Sequence, residues 1–278
     1  MTLAAALAGE RADAVWFAYT DYVTELLGEP VPWLDVDGVV AWHRRATGLI
    51  DSAVVEVDGA AVLATWIGAH PDLVSEMAER TRPTAPLRTL FADEGLRVLL
   101  ADLVGSLKSA LGGRSVALVL GAPESMAALA YRSAFDGVEP EWDEDDVDSA
   151  AVYTADLLRT LSESGLDALV IGESDSGEPL TADRVELYGP IHNVAAHYRW
   201  AFGLVARSVP ADLPASRAPR FWVTGREVDG VATAVLIDEG FWDGDPPAER
   251  PARGVLLARV PARAQPERVL ERVRVLTA

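Results

Sequence analysis

Short apolar runs recur along the chain and alternate with stretches of helical period. AVWFAYT (14–20), AVVEVDGAAVLATWI (53–67), SVALVLGAP (115–123), DALVIGES (167–174), RFWVTG (220–225), ATAVLIDEG (232–240) and GVLLARV (254–260) read as strands, each nearly continuous in apolar residues and bounded by turn formers. Helical spacing fills 71–80, 93–111, 124–135, 148–164, 190–207 and 265–276. In the second of these, Leu99, Leu100, Leu103, Leu107 and Leu111 make one buried stripe, and Pro266 suits the first turn of the last. Strands apolar on both faces and separated by helices predict a parallel sheet covered on both sides, an α/β protein. Seven or eight strands within 278 residues, with no linker-like tract in the middle, predict one (β/α)8 barrel of the TIM type over residues 1–278, not two doubly wound domains. The Pro-rich segment SVPADLPASRAPR, 208–220, predicts a loop and a reduced helix there.

Parallel α/β folds keep their chemistry at the C-terminal ends of the strands, so polar residues at those ends are candidates. LVIGESDSGEPL, 169–180, runs from four apolar residues into Glu173, Ser174 and Asp175. Tyr19, Thr20 and Asp21 follow the first strand, 121–124 follow LVL, and Asp238, Glu239 and Trp242 follow AVLI. Each carboxylate has a structural alternative as a helix N-cap; Asp175 and Ser176 suit it best, and Asp21 begins a helix. Asp238, directly after an apolar strand and before Gly240, is placed for a pointed role.

Charge and residue usage remove many chemistries. The net charge is −19, and such a field repels phosphate backbones and anionic membranes, so neither nucleic acid nor a membrane surface is an expected partner. The densest cluster, EPEWDEDDVD at 139–148, reads as the solvated approach to a helix. Without cysteine there are no disulfides, thiolate nucleophiles or Cys-ligated metals. The single lysine, Lys108, falls off its helix's buried stripe, and no Gly-x-Gly or Walker loop occurs. Neither a cofactor nor a metal is implied. His192 and His197 are five apart and do not share a helical face; His192 remains a candidate for substrate contact or proton transfer. His43 reads as surface helix and His70 as a local structural residue. No apolar run is long enough to span a membrane and no basic leader precedes one, so a cytoplasmic protein is expected. Apolar surfaces near Trp33 and Trp42 leave room for a homodimer.

The order of LAGERADAVWFAYTDY, LVLGAPESMAAL, GLDALVIGESDSG and AVLIDEGFWDG, followed by GVLLARVPARAQPERVLERV, resembles the uroporphyrinogen decarboxylase superfamily, whose barrel is shared by cobalamin-independent methionine synthase and corrinoid-linked methyltransferases. Glu173, Ser174 and Gly177 match the family's Glu-Ser-x-x-Gly, and 121–123 match its Gly-Ala-Pro. Tyr131 lies close to the place of a substrate-site tyrosine. The family's arginine clamp after the first strand is replaced by Ala18, Tyr19, Thr20, Asp21 and Tyr22. Its catalytic aspartate has no clear counterpart, Glu56 being the nearest acidic residue. The resemblance implies a diverged, cofactor-independent lyase acting by proton transfer on a small carboxylated or phenolic metabolite. Glu173, Asp238 and Asp21 would be the acid/base set. Tyr19, Tyr131, Ser174, His192 and Trp242 would be substrate contacts. The alternatives are a non-catalytic binding barrel and a corrinoid-linked methyltransferase without a cysteine zinc site.

Overall fold

A computed structural model describes residues 2–10, 14–173 and 179–277. The chain is a single (β/α)8 barrel of the TIM type. Its strands are β1 (Val15–Ala18), β2 (Val54–Asp58), β3 (Ser115–Leu120), β4 (Ala168–Ile171), β5 (Ala201–Val205), β6 (Phe221–Thr224), β7 (Thr233–Leu236) and β8 (Gly254–Arg259). All pairs are parallel, in the order β1-β8-β7-β6-β5-β4-β3-β2. Every sequence neighbour is a spatial neighbour, and one joint, between β1 and β2, has no ladder.

Ser52 closes that joint. Its buried hydroxyl accepts from Phe17 N at 2.9 Å and donates to Val54 O at 2.7 Å, while Ala53 N donates to Val15 O at 3.0 Å. These bonds satisfy buried main-chain groups that a regular ladder would otherwise pair.

Helix α1 (Leu3–Leu7) precedes the barrel and plugs its N-terminal end, with Leu3, Ala6 and Leu7 buried against the interior and Leu3 N donating to Ser115 Oγ at 2.8 Å. Between β1 and β2 run α2 (Thr20–Leu27) and α3 (Val36–Leu49). Between β2 and β3 run α4 (Gly59–Ala69), α5 (Pro71–Met77), α6 (Ala85–Ala92) and α7 (Glu94–Ala110). Then α8 (Pro123–Ala134) and α9 (Glu144–Leu158) cover β3–β4, and α10 (Ala182–Leu187) and α11 (Gly189–Tyr198) cover β4–β5. Asp143 caps α9 through Asp146 N at 2.8 Å, so the acidic run 139–148 is the approach to a helix and its first turn, although Asp146 is buried and not solvated as expected. No helix separates β5 from β6 or β6 from β7, and α12 (Gly240–Asp243) is one turn; α13 (Pro266–Thr277) ends the chain. The helix expected to be reduced near 208–220 is thus absent, β6–β7 lacks one as well, and β7–β8 keeps a single turn.

Two predicted boundaries move. The apolar run 53–67 is a five-residue strand followed by α4, and the predicted helix 190–207 is α11 plus β5. Alternate residues of each strand face inward. The inner set includes Trp16, Val54, Ala117, Ala168, Val170, Phe221, Val223, Ala234, Val255 and Leu257. One large ring is accommodated by a glycine on the neighbouring strand: a Cβ built on Gly203 would lie 2.4 Å from the Phe221 ring. The interior is a packed core and not a pore.

Candidate functional site

Because Val54 faces inward, so does Glu56 two residues on. It stands just below the C-terminal mouth, half-buried, one turn of the pleat inside Asp58. Burial pushes its carboxyl up to about 7; the Asp58 and Asp21 charges push the same way, while Trp16 and Arg259 oppose. The indole Nε1 of Trp16 is buried and aimed toward this carboxyl without reaching hydrogen-bonding geometry, which leaves the donor without a partner. Arg259 ends β8 opposite Ala18 of β1 and is exposed at the rim. Asp58, also at the rim, accepts from Ala61 N at 3.0 Å and caps α4. Glycine follows it because a Cβ at 59 would meet Leu120 Cδ2 at 2.3 Å, so α4 leaves the strand end hard against β3.

The sequence-predicted residues divide. Asp21, exposed in the first turn of α2, is close enough to Glu56 to act on it electrostatically. Glu173, after β4, is held by Arg207, two residues past the end of β5: its Oε1 accepts from Arg207 N at 2.5 Å, and its Oε2 pairs with Arg207 Nε at 3.2 Å. Asp238, after β7, accepts from Gly240 N at 2.9 Å and lines a 410 Å3 groove with Leu236, Glu239 and Pro246. Both carboxylates thus make a local structural bond at the mouth. Ser174 lies outside the described residues.

Four other predicted contacts face elsewhere. Tyr19 turns outward into the helix layer, where its hydroxyl meets His43 Nδ1 at 3.0 Å and its ring stacks on Trp42. His43 is fully buried there, not a surface residue, and burial lowers its pKa to about 4. Trp33 and Trp42 are buried in the same cluster and form no surface for a second copy. Tyr131 is two turns into α8, with its ring on Phe135 at 4.5 Å. Trp242 is buried beside Phe241, whose ring carries the Arg272 guanidinium at 3.8 Å. His192 lies near the opposite, N-terminal side, stacked on Phe202. His70, stacked on Trp66 and bonded through Nδ1 to Trp66 O at 2.7 Å, is the local structural residue expected.

Glu56 is the residue that strand-end reasoning passes over, because it stands inside the strand and not after it. Its signal is a lone carboxylate in the apolar run VVEV, which a buried strand does not carry without cause. A second polar cluster flanks the mouth: Glu124, buried in the first turn of α8, accepts from Tyr188 Oη at 3.1 Å and lies 3.8 Å from Arg184. Among the described residues, no three His, Asp or Glu side chains gather closely enough to hold a metal ion. No described helix is long and apolar enough to cross a membrane. No protein-family model and no curated protein matches the chain.

Proposed function

We propose that the protein is a lyase of the uroporphyrinogen decarboxylase-like superfamily, moving a proton between Glu56 and a small carboxylated or phenolic metabolite at the C-terminal mouth. The observation that supports this reading is Glu56 itself, an inward carboxyl with its pKa raised to about 7. A group titrating near the working pH is both present as the acid and willing to give up its proton.

In a decarboxylation, protonated Glu56 gives its proton to the ring carbon that bears the leaving carboxylate. The bond from that carbon to the carboxylate breaks, carbon dioxide departs, and the bonding electrons restore the ring. Water then reprotonates Glu56. Arg259, on the neighbouring rim, would hold a carboxylate or phenolate of the substrate. Burial, aided by the Asp58 and Asp21 charges, keeps the proton on Glu56. Asp21, Asp58 and Asp238 at one mouth disfavour a substrate with many carboxylates, because like charges at short range repel, and this supports a smaller substrate than uroporphyrinogen. Glu173 serves as a positioning residue that ties the β4 and β5 ends together through Arg207.

The test is release of labelled carbon dioxide from a panel of carboxyl-labelled hydroxybenzoates and pyrrole carboxylates, with anaerobic uroporphyrinogen included. Glu56→Gln is expected to lower turnover by about 10²- to 10⁴-fold while the melting temperature does not fall. A variant that keeps full turnover would remove Glu56 from the mechanism. Turnover of uroporphyrinogen would overturn the argument for a smaller substrate.

A further inference from the structure

A cavity of about 610 Å3 opens on the N-terminal side of the barrel, between α11, the start of β5 and α1. Its floor is apolar and aromatic. Trp200 and Phe202 are buried there, and the His192 ring stacks on Phe202 with centroids 5.3 Å apart and planes 18° from parallel. Its rim is cationic. Arg199 and Arg220 line it and are exposed, and Arg217 extends a guanidinium nitrogen toward Gly189 at the head of α11, close enough to act on His192.

None of these three arginines has an ion-pair partner among the described residues. Among the described residues one carboxylate lines the cavity, Asp167, and it is already engaged by Lys108 Nζ at 2.6 Å and Val116 N at 2.8 Å. In a chain of net charge −19, two rim guanidinium groups, Arg199 and Arg220, with Arg217 close enough to act on His192 and none of the three ion-paired among the described residues, suit an external anion. Arg199 closes α11 in the left-handed region, φ 62°, where glycine is the ordinary residue; an arginine there sets its charge at the rim. Burial and the Arg217 charge hold His192 below its ordinary pKa, so it offers a neutral ring face.

We propose that this cavity binds a small aromatic anion, an arene ring carrying a carboxylate or phosphate, with the ring over His192 and the aromatic floor and the anion between Arg199 and Arg220. The site is separate from the mouth. Trp16, Phe221 and the α1 plug fill the barrel between the two.

The experiment is calorimetric titration of the full chain with 1-naphthoate. Inorganic phosphate supplies charge without a ring, and 1-naphthalenemethanol a ring without charge. Naphthoate is expected to bind, to shift the His192 ring resonances in the proton NMR spectrum, and to bind more tightly than either control. The exposed-residue variant R199Q/R220Q is expected to weaken it about tenfold or more with an unchanged circular dichroism spectrum, while E56Q leaves it unaltered. Absence of binding, equal binding by phosphate alone, or binding that survives R199Q/R220Q but is lost in E56Q would each overturn the proposal.

Discussion

Glu56 and Trp16 meet inside the barrel because β1 and β2 each turn alternate side chains inward, and the burial that follows sets the chemistry of both. Glu56 is ionised in the unfolded chain above its ordinary 4.5 but keeps its proton in the fold to about 7. Between those values the native state holds more protons than the unfolded state, so this residue's contribution to stability falls as pH rises through the window. Glu56→Gln is therefore expected to match the wild type near pH 4 and to melt at a higher temperature at pH 8, a gain in stability bought with activity; equal melting temperatures at both pH values would contradict the raised pKa. His43 has the opposite sign. Its folded pKa is about 4 against 6.5 unfolded, so between these values the unfolded chain takes up the extra proton and stability is lost as pH falls from 6.5 toward 4. His43→Gln, which keeps an acceptor for the Tyr19 hydroxyl, is expected to flatten melting temperature against pH over that range in thermal scans.

At the level of elements, the β1–β2 joint depends on one side chain. Ser52→Ala leaves the buried Phe17 N–H without an acceptor, and chemical denaturation is expected to show a loss of about 1–3 kcal/mol, whereas Ser52→Thr retains the hydroxyl and should lose less. Much of the element pattern was legible because buried parallel strands are apolar on both faces: β1, β3, β4, β6, β7 and β8 all lie within their predicted runs. β5 was hidden because IHNVAAHYRWAFGLVA has no glycine or proline at the end of α11, where Arg199 takes the turn that a glycine would have announced. The strand predicted over 53–67 merged β2 with α4, since GAAVLATWIGA carries no charge to reveal a helical period. At the site, the strand-end rule located Asp21, Glu173 and Asp238 at the mouth. It could not say which way a side chain turns, and so it placed Tyr19 and Trp242 there although both are packed into the helix layer.

Across the whole molecule the helical coat is uneven. The β2–β3 crossover holds four helices, while β5–β6 and β6–β7 are joined by loops alone. Strands backed by loops make fewer apolar contacts and open at lower free energy. Hydrogen exchange is expected to show amides of β6 and β7 exchanging through sub-global opening while those of β2 and β3 approach the global limit; uniform protection around the barrel would contradict this. The unladdered joint has a mechanical meaning as well. A hoop with one open clasp stretches at the clasp, so the circumference of this barrel is most easily changed between β1 and β2. That interval spans the Trp16 indole and the Glu56 carboxyl, and a small dilation there alters the distance between the unpartnered donor and the acid, shifting the affinity of Glu56 for its proton without breaking any strand ladder.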